Sequence, residues 1–446
     1  MKNKVINAQV VDYTHDGKGI VKYDGAALFV PNCLIDEKLE VKIVKWKKKY
    51  GYGKVIKLLS ENKNRVQPSC PFYFQCGGCQ LQIMNYQEQL NFKNSKIKNV
   101  FLKHNITFTN LNIIENKTPL AYRNKLSIPL TTKKGTISAG LYRENSNDII
   151  VIDNCLIQQD SINIVLNEIV SLLNAYNINI YDKFNQQGYL RQIVIRSTYN
   201  QDSILIGFVI NEIEYHDELK QVIEQLVKNN KKIKTIVINY NNKNTNVILG
   251  DNSKVIYGDG YLIDEVNNYL FQISLNSFYQ VNALQMNNLY LKAIEMAKLS
   301  SEDIVLDAYC GVGTISIYLA SKVKKVIGID IVAQAINDAN ENKKLNKINN
   351  IDFICEDISE YFNHDHTSYD CLFVDPPRKG CSLVFLNDII KKQPKKIIYI
   401  ACDPATQARD IRYLIDNGYQ IIEQCAVDMF SQTYHIENII SLQLIN

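Results

Sequence analysis

From about residue 271 the chain alternates apolar, β-branched runs with helical stretches, and that rhythm admits few folds. It predicts helices at Ala283–Ala297, Thr314–Ala320 and Ala333–Leu345. It predicts strands at Asp303–Asp307, Lys325–Asp330, Ile351–Cys355, Tyr369–Val374 and Lys396–Ala401. Continuous apolar strands separated by helices mark a parallel sheet covered on both faces. In such a doubly wound α/β sheet, ligands sit outside the carboxyl ends of the strands.

Those ends carry polar groups one after another. Ile304-Val-Leu-Asp-Ala-Tyr-Cys-Gly-Val-Gly-Thr314 runs from strand through a Gly-rich turn into helix, and Gly311 and Gly313 let the backbone approach a ligand. Asp330 follows Gly311 by 19 residues and can accept hydrogen bonds from ribose hydroxyls. A nicotinamide cofactor must be considered, but Ser316 stands where the dinucleotide fingerprint has its third glycine. Asp307-x-x-Cys-Gly-x-Gly looks instead like the S-adenosylmethionine pattern, whose carboxylate meets the cationic methionine end. Cys355-Glu-Asp357 ends the third strand, where adenine recognition occurs in this fold. Asp375-Pro-Pro ends the fourth, projecting a carboxylate from a loop stiffened by two prolines.

An Asp-Pro-Pro loop also suits methylation of an exocyclic amine, which needs no thiol. The fifth strand end decides between the two chemistries. Lys396-Lys-Ile-Ile-Tyr-Ile-Ala-Cys-Asp-Pro-Ala-Thr406 stops at Cys402, where a strand ends and a rigid turn begins, so the thiol is expected on display. Uracil C5 is a poor nucleophile. A thiolate added at C6 makes an enolate at C5 that can attack an activated methyl group, and a base must then remove the C5 proton. Tyr434-His-Ile-Glu-Asn438 supplies Glu437 for that step, with His435 beside it.

The start of the chain is different. Five short strands are expected between residues 4 and 58, with Gly-rich corners, which fits a small barrel of the OB type. Residues 1–60 hold 12 Lys and no Arg against 6 Asp and Glu, a net +6, whereas the whole chain is only +4. Trp46-Lys-Lys-Lys-Tyr-Gly-Tyr52 interleaves rings with cations, a composition that can meet bases and phosphates. A solvated lysine-rich surface is the plain alternative. Between the barrel and the doubly wound sheet, residues 120–270 read as mixed α+β.

Eleven cysteines in a chain without a signal peptide or apolar span place it in the cytoplasm, where disulfides are not expected. They cluster once: Cys70-x5-Cys76-x2-Cys79, with Cys155 as the candidate fourth ligand. Thiolate-only ligation suits zinc or a 4Fe–4S cluster, and the spacing alone does not separate them. Cys355 and Cys371 are expected in the core.

Taken together, these motifs resemble the bacterial RNA uracil-C5 methyltransferase family, in particular its TRAM-domain, iron–sulfur members acting on 23S rRNA. The carriers are Ser277-Phe-Tyr-Gln-Val-Asn282, Asp307-Ala-Tyr-Cys-Gly-Val-Gly313, Asp375-Pro-Pro-Arg-Lys-Gly380, Cys402-Asp-Pro-Ala-Thr406 and His435-Ile-Glu-Asn438. The resemblance implies a TRAM RNA-binding domain over 1–59, a central α+β domain with the cysteine cluster over 60–270, and a Rossmann-like S-adenosylmethionine-dependent methyltransferase domain over 271–446. It implies that Gln280, Tyr309, Asp330 and Asp375 line the cofactor site, that Cys402 attacks uracil C6, and that Glu437 takes the C5 proton, with Asp375 steadying the ring. It moves the cysteine set to a 4Fe–4S cluster and names 23S rRNA as partner. No protein partner or membrane is implied. Two departures are visible: Asp330 stands where Glu is common, and Ala401 where Ser is usual. A tRNA enzyme of the same chemistry and a non-catalytic RNA-binding ribosome-assembly factor are the competing readings.

Overall fold

The computed structural model describes residues 2–445 apart from Thr109, Phe184 and Ile213. At its start Val5–Tyr13, Gly19–Tyr23, Ala26–Val30, Lys38–Trp46 and Tyr50–Ser60 close into a five-stranded barrel. Alternate residues point inward, so Val10, Val21, Leu28, Val30, Leu39, Val41 and Ile43 form its core. The lysine-rich tip lies between the last two strands, where Lys47 Nζ donates to the Tyr50 hydroxyl at 2.9 Å.

Residues 61–85 form turns and single bridges without a helix or strand among them. The helix Tyr86–Leu102 follows, capped by the Asn85 side chain, which accepts the Glu88 N–H at 2.9 Å. It turns Ile97 and Phe101 into one face of the doubly wound sheet.

A seven-stranded mixed sheet is built from residues 125–257, in the order Asn252–Tyr257, Ile233–Tyr240, Ile204–Ile210, Leu190–Ser197, Lys125–Lys133, Thr136–Tyr142, Ile149–Val151. Every residue of Ile204–Ile210 is buried. Ile204, Ile206, Phe208 and Ile210 meet the helices Asp160–Ala175 and Asp217–Asn229, while Leu205 and Val209 meet Leu262 and Leu275 behind.

The remaining half is an eight-stranded sheet. Its order is Ile351–Cys355, Lys325–Asp330, Ile304–Ala308, Cys371–Val374, Lys396–Ala401, Glu437–Leu444, Tyr419–Val427, Asn112–Ile114. The first five run parallel, as the sequence rhythm predicts. Glu437–Leu444 inserts antiparallel between its neighbours. The short strand Asn112–Ile114 then pairs with Tyr419–Val427 and closes that edge. Cys371 is buried as expected, but Cys355 is exposed, because it ends an edge strand at the open carboxyl rim. Among the described residues no helix is long and apolar enough to cross a membrane.

Candidate active site

The strand Lys396–Ala401 stops where Asp403 and Pro404 start the helix Pro404–Asp416. Proline suits the first helical turn, and the Asp403 carboxylate accepts the Ala405 N–H at 2.9 Å as its cap. Cys402 occupies the hinge between them. Its thiol is half-buried rather than displayed, a correction to the reading from the strand stop.

The antiparallel strand Glu437–Leu444 brings the second group. Its last pair with Lys396–Ala401 is Ala401 with Asn438. Cys402 follows Ala401 and Glu437 precedes Asn438, so both stand at the end of this ladder, and the Glu437 carboxylate is among the charges that act on the Cys402 thiol. Asn438 locks that register: its amide donates to Gln407 Oε1 at 2.7 Å, and Gln407 Nε2 donates to the Tyr399 and Asn438 carbonyls, each at 3.0 Å.

Electrostatics follow from this packing. Burial, then the neighbouring Glu437 and Asp375 carboxylates, push the Cys402 thiol up to about 11, and Arg378 opposes them. Burial and Asp375 hold Glu437 well above the usual carboxylate range. Burial raises Asp375 to about 7. The resting site therefore keeps its thiol protonated at neutral pH. Burial drives His435 down to about 4, with Arg378 and Lys96 adding to the effect, so its ring is neutral. Alkylation of Cys402 by iodoacetamide, followed by peptide mapping, should be slow at pH 7 and rise about tenfold per pH unit toward pH 11. Replacing Arg378 with Ala should shift that profile to still higher pH.

The cofactor rim lies alongside. Asp307 is fully buried; one oxygen accepts the Ser316 hydroxyl at 2.5 Å and the other has no partner. Burial lifts this carboxyl to about 7. An orphaned buried carboxylate oxygen suits a cationic ligand group. Beyond it Tyr309, Gly311 and Gly313 have φ of +64°, +55° and +77°. A Cβ on Gly313 would lie 2.5 Å from the Phe353 ring, whereas one on Gly311 would meet nothing within 4 Å. The turn is thus packed at Gly313 and open at Gly311, where a ligand fits. Asp330 accepts the Gly311 N–H at 3.0 Å and the Val332 N–H at 2.8 Å, which orients its carboxylate on the same rim. Asp357 caps the helix Ile358–His364 with one oxygen, accepting Ser359 and Glu360 N–H groups.

Gln280 is buried on the segment Ser277–Asn282, and its carbonyl accepts the Asn124 side chain at 3.1 Å. Arg196 donates to the Ser277 carbonyl, the Ser277 hydroxyl donates to Asp338 at 2.9 Å, and the Tyr279 hydroxyl donates to Asp264 at 3.1 Å. The segment is therefore held by the seven-stranded sheet through Arg196, by the helix Ala333–Leu345 through Asp338 and by the strand Tyr261–Val266 through Asp264.

Two features escaped the sequence reading. Arg378 lay inside a quoted motif without a role, and it is the cation beside Cys402 and Glu437. Lys93 forms a buried ion pair with Asp428, and Lys96 Nζ donates to the Tyr434 carbonyl at 2.9 Å. Lys93 sits between Leu90 and Ile97 on one helical face, a spacing that could have shown it pointing inward.

The four clustered cysteines also come together. Cys70, Cys76, Cys79 and Cys155 line one small cavity with Phe72, Tyr73 and Leu141. Cys76 Sγ accepts the Gly78 N–H at 3.3 Å. The Cys155 thiol is approached by the backbone N–H groups of Ile157 and Gln158, and Cys79 by the Gln82 side chain. N–H groups aimed at sulfur suit thiolates that hold a metal centre. Among the described residues, however, no group of three or more His, Cys, Asp or Glu side chains is arranged to hold a metal ion.

The family model described as tRNA (Uracil-5-)-methyltransferase matches residues 85–444. The chain belongs to that family. It is an S-adenosylmethionine-dependent RNA (uracil-5-)-methyltransferase. An uncharacterized RNA methyltransferase of Halalkalibacterium halodurans is 40% identical over 450 residues, covering 100% of this chain and 98% of the relative. Another, from Staphylococcus epidermidis, is 40% identical over 445 residues, covering 98% and 97%. Among solved structures, the Pyrococcus abyssi tRNA (uracil-54, C5)-methyltransferase in complex with S-adenosyl-L-homocysteine has a TM-score of 0.80 at 26% identity, covering 98% of this methyltransferase and 99% of that chain.

Proposed function

We propose that this methyltransferase makes 5-methyluridine in 23S ribosomal RNA through a covalent bond between Cys402 and uracil C6. The observation that supports the mechanism is the group of charges acting on the Cys402 thiol, namely Glu437, Asp375 and Arg378, at the end of the ladder that closes with Ala401 opposite Asn438. S-adenosylmethionine, when bound, would supply an activated methyl group to C5 and leave as S-adenosylhomocysteine; Asp307, Tyr309, Gly311, Asp330 and Asp357 would hold it, with Gln280 and Asp375 also near the base. The Cys402 thiolate forms a bond to C6, and the electron pair of the C5–C6 double bond moves toward O4. Arg378 offsets the thiolate charge as it forms. Once C5 carries both its hydrogen and the new methyl group, Glu437 takes that proton. The C5–C6 double bond re-forms, and the carbon–sulfur bond breaks to return Cys402. Asp375 steadies the polarised ring.

The four-cysteine cavity takes a 4Fe–4S cluster in this reading, since thiols, apolar walls and N–H groups converge there. No redox step occurs in the methylation, so the cluster is structural. Metal and sulfide analysis of anaerobically purified protein should find iron and acid-labile sulfide; zinc alone would overturn this assignment. The basic barrel, residues 1–59, serves as a TRAM module gripping RNA, 60–270 forms the central domain, and 271–446 the catalytic one. Such an enzyme works in the cytoplasm, where its RNA is made.

The likeness to a tRNA (uracil-54, C5)-methyltransferase gives the second reading, a tRNA substrate. The choice of ribosomal RNA follows the resemblance of the motifs to the iron–sulfur members of the family that act on 23S rRNA. Incubating the enzyme with labelled methyl donor and either 23S rRNA or total tRNA transcripts separates them. Methyl incorporation into rRNA is the expected result, and incorporation into tRNA alone would refute it.

A further inference from the structure

The loops that carry the four cysteines are hydrogen-bonded to both walls of the candidate pocket. On one side, the Cys155 loop pairs with residues 121–124: the Ala121 N–H donates to the Leu156 carbonyl at 2.8 Å and the Arg123 N–H to the Ile157 carbonyl at 2.9 Å. The next residue, Asn124, donates its N–H to the Val281 carbonyl at 2.9 Å and its side chain to the Gln280 carbonyl at 3.1 Å. On the other side, Gln80 and Leu81, directly after Cys79, both donate their N–H groups to the Gln432 carbonyl at 3.0 Å. Gln89 closes a reciprocal pair with Gln432: its amide donates to Gln432 Oε1 at 3.0 Å, and its own oxygen accepts the Gln432 N–H at 3.0 Å. Gln432 is a non-glycine residue at φ +69°, a conformation that persists only where the surroundings impose it. Five residues later in the chain stands Glu437.

We infer that the cysteine-bearing loops form a two-armed brace, and that Gln432 is the positioning residue through which the cysteine site sets the placement of Glu437. Residues 61–85 have no helix or strand to order them, so ligation of the thiols supplies much of their order. Tyr434 packs in the same apolar cluster as Cys70 and Cys79, which adds a side-chain contact to the hydrogen bonds. Loss of the metal centre should loosen the strap 432–437 and slow removal of the C5 proton. The cofactor rim hangs on the parallel strands and should be spared.

This inference rests on reading the four thiols as a metal-cluster site and Glu437 as the base. The test compares the anaerobically purified protein with the same protein after ferricyanide and EDTA, and with Gln432→Ala and Gln89→Leu. Hydrogen exchange read by mass spectrometry should quicken about tenfold at residues 432–437 in all three altered forms. The affinity for S-adenosylmethionine should stay unchanged. Gln432→Asn, which keeps an amide, should recover part of the protection. Gln432→Ala keeps the carbonyl that Gln80 and Leu81 reach and loses only the side-chain pair with Gln89, so removing the centre from that variant should quicken exchange further. Exchange that rises at 70–81 but not at 432–437 when the centre is removed overturns the brace. Circular dichroism identifies a variant that has simply unfolded, and Gln89→Leu then carries the decision. Iron content measured beforehand tells a failed cluster assignment from a failed brace, since the variants test the brace without any metal. A normal brace with unchanged proton removal would instead count against Glu437 as the base.

Discussion

Replacing Cys402 with Ala should abolish methyl transfer, by about 10⁴-fold or more, while S-adenosylmethionine still binds with its usual affinity. The thiol lies just past the last ladder pair, Ala401 with Asn438, and outside the Gly311 turn, so its loss should remove the proposed nucleophile without touching the residues proposed to hold the cofactor. Without addition at C6, uracil C5 has no electron-rich form to accept the methyl group, and no other residue of the site can substitute. Single-turnover methylation together with calorimetric titration of S-adenosylmethionine checks both halves. A Cys402→Ala protein that still turns over at the wild-type rate would sink the covalent mechanism. Wild-type protein that forms no denaturation-resistant complex with 5-fluorouridine RNA would count as heavily against it, because fluorine at C5 blocks the release step.

Changing Glu437 to Gln should leave the first bond intact and stop the last one. The substitution keeps size and hydrogen bonding but removes the proton acceptor, so turnover should fall by about 10²–10⁴-fold. The methylated RNA should remain attached to Cys402 and migrate with the protein on a denaturing gel. The wild type should show little of that species with ordinary RNA. A fast-turning Glu437→Gln enzyme without trapped adduct would require another base. His435, neutral and driven down to about 4, is the neighbour to examine next.

Much of this arrangement was legible in the residues. Lys325–Asp330 and Lys396–Ala401 fall where their apolar runs predict, because strands buried on both faces cannot disguise themselves, and the edge strand Ile351–Cys355 also falls where expected. The strand-end carboxylates Asp307, Asp330 and Asp375 follow from the same logic. The strand Glu437–Leu444 gives no such warning. Its place between Lys396–Ala401 and Tyr419–Val427 depends on register, which is set by tertiary contacts such as Asn438 with Gln407. Asn112–Ile114 is too short to show a period at all. Lys93 is hidden for another reason: a lysine reads as solvated until its buried partner, Asp428, is found 335 positions away. Gln432 is legible only as a backbone conformation, which composition does not reveal.

The antiparallel strand has a consequence for the order in which the chain is made. Lys396–Ala401 and Tyr419–Val427 leave the ribosome before the strand that fits between them. Until residue 444 emerges, each presents an unpaired edge able to pair with a foreign strand. The thiol is thus synthesised well before its proton acceptor. A nascent chain can thereby fold its cofactor rim early, while the half-built site stays chemically silent until synthesis passes the strand that completes it.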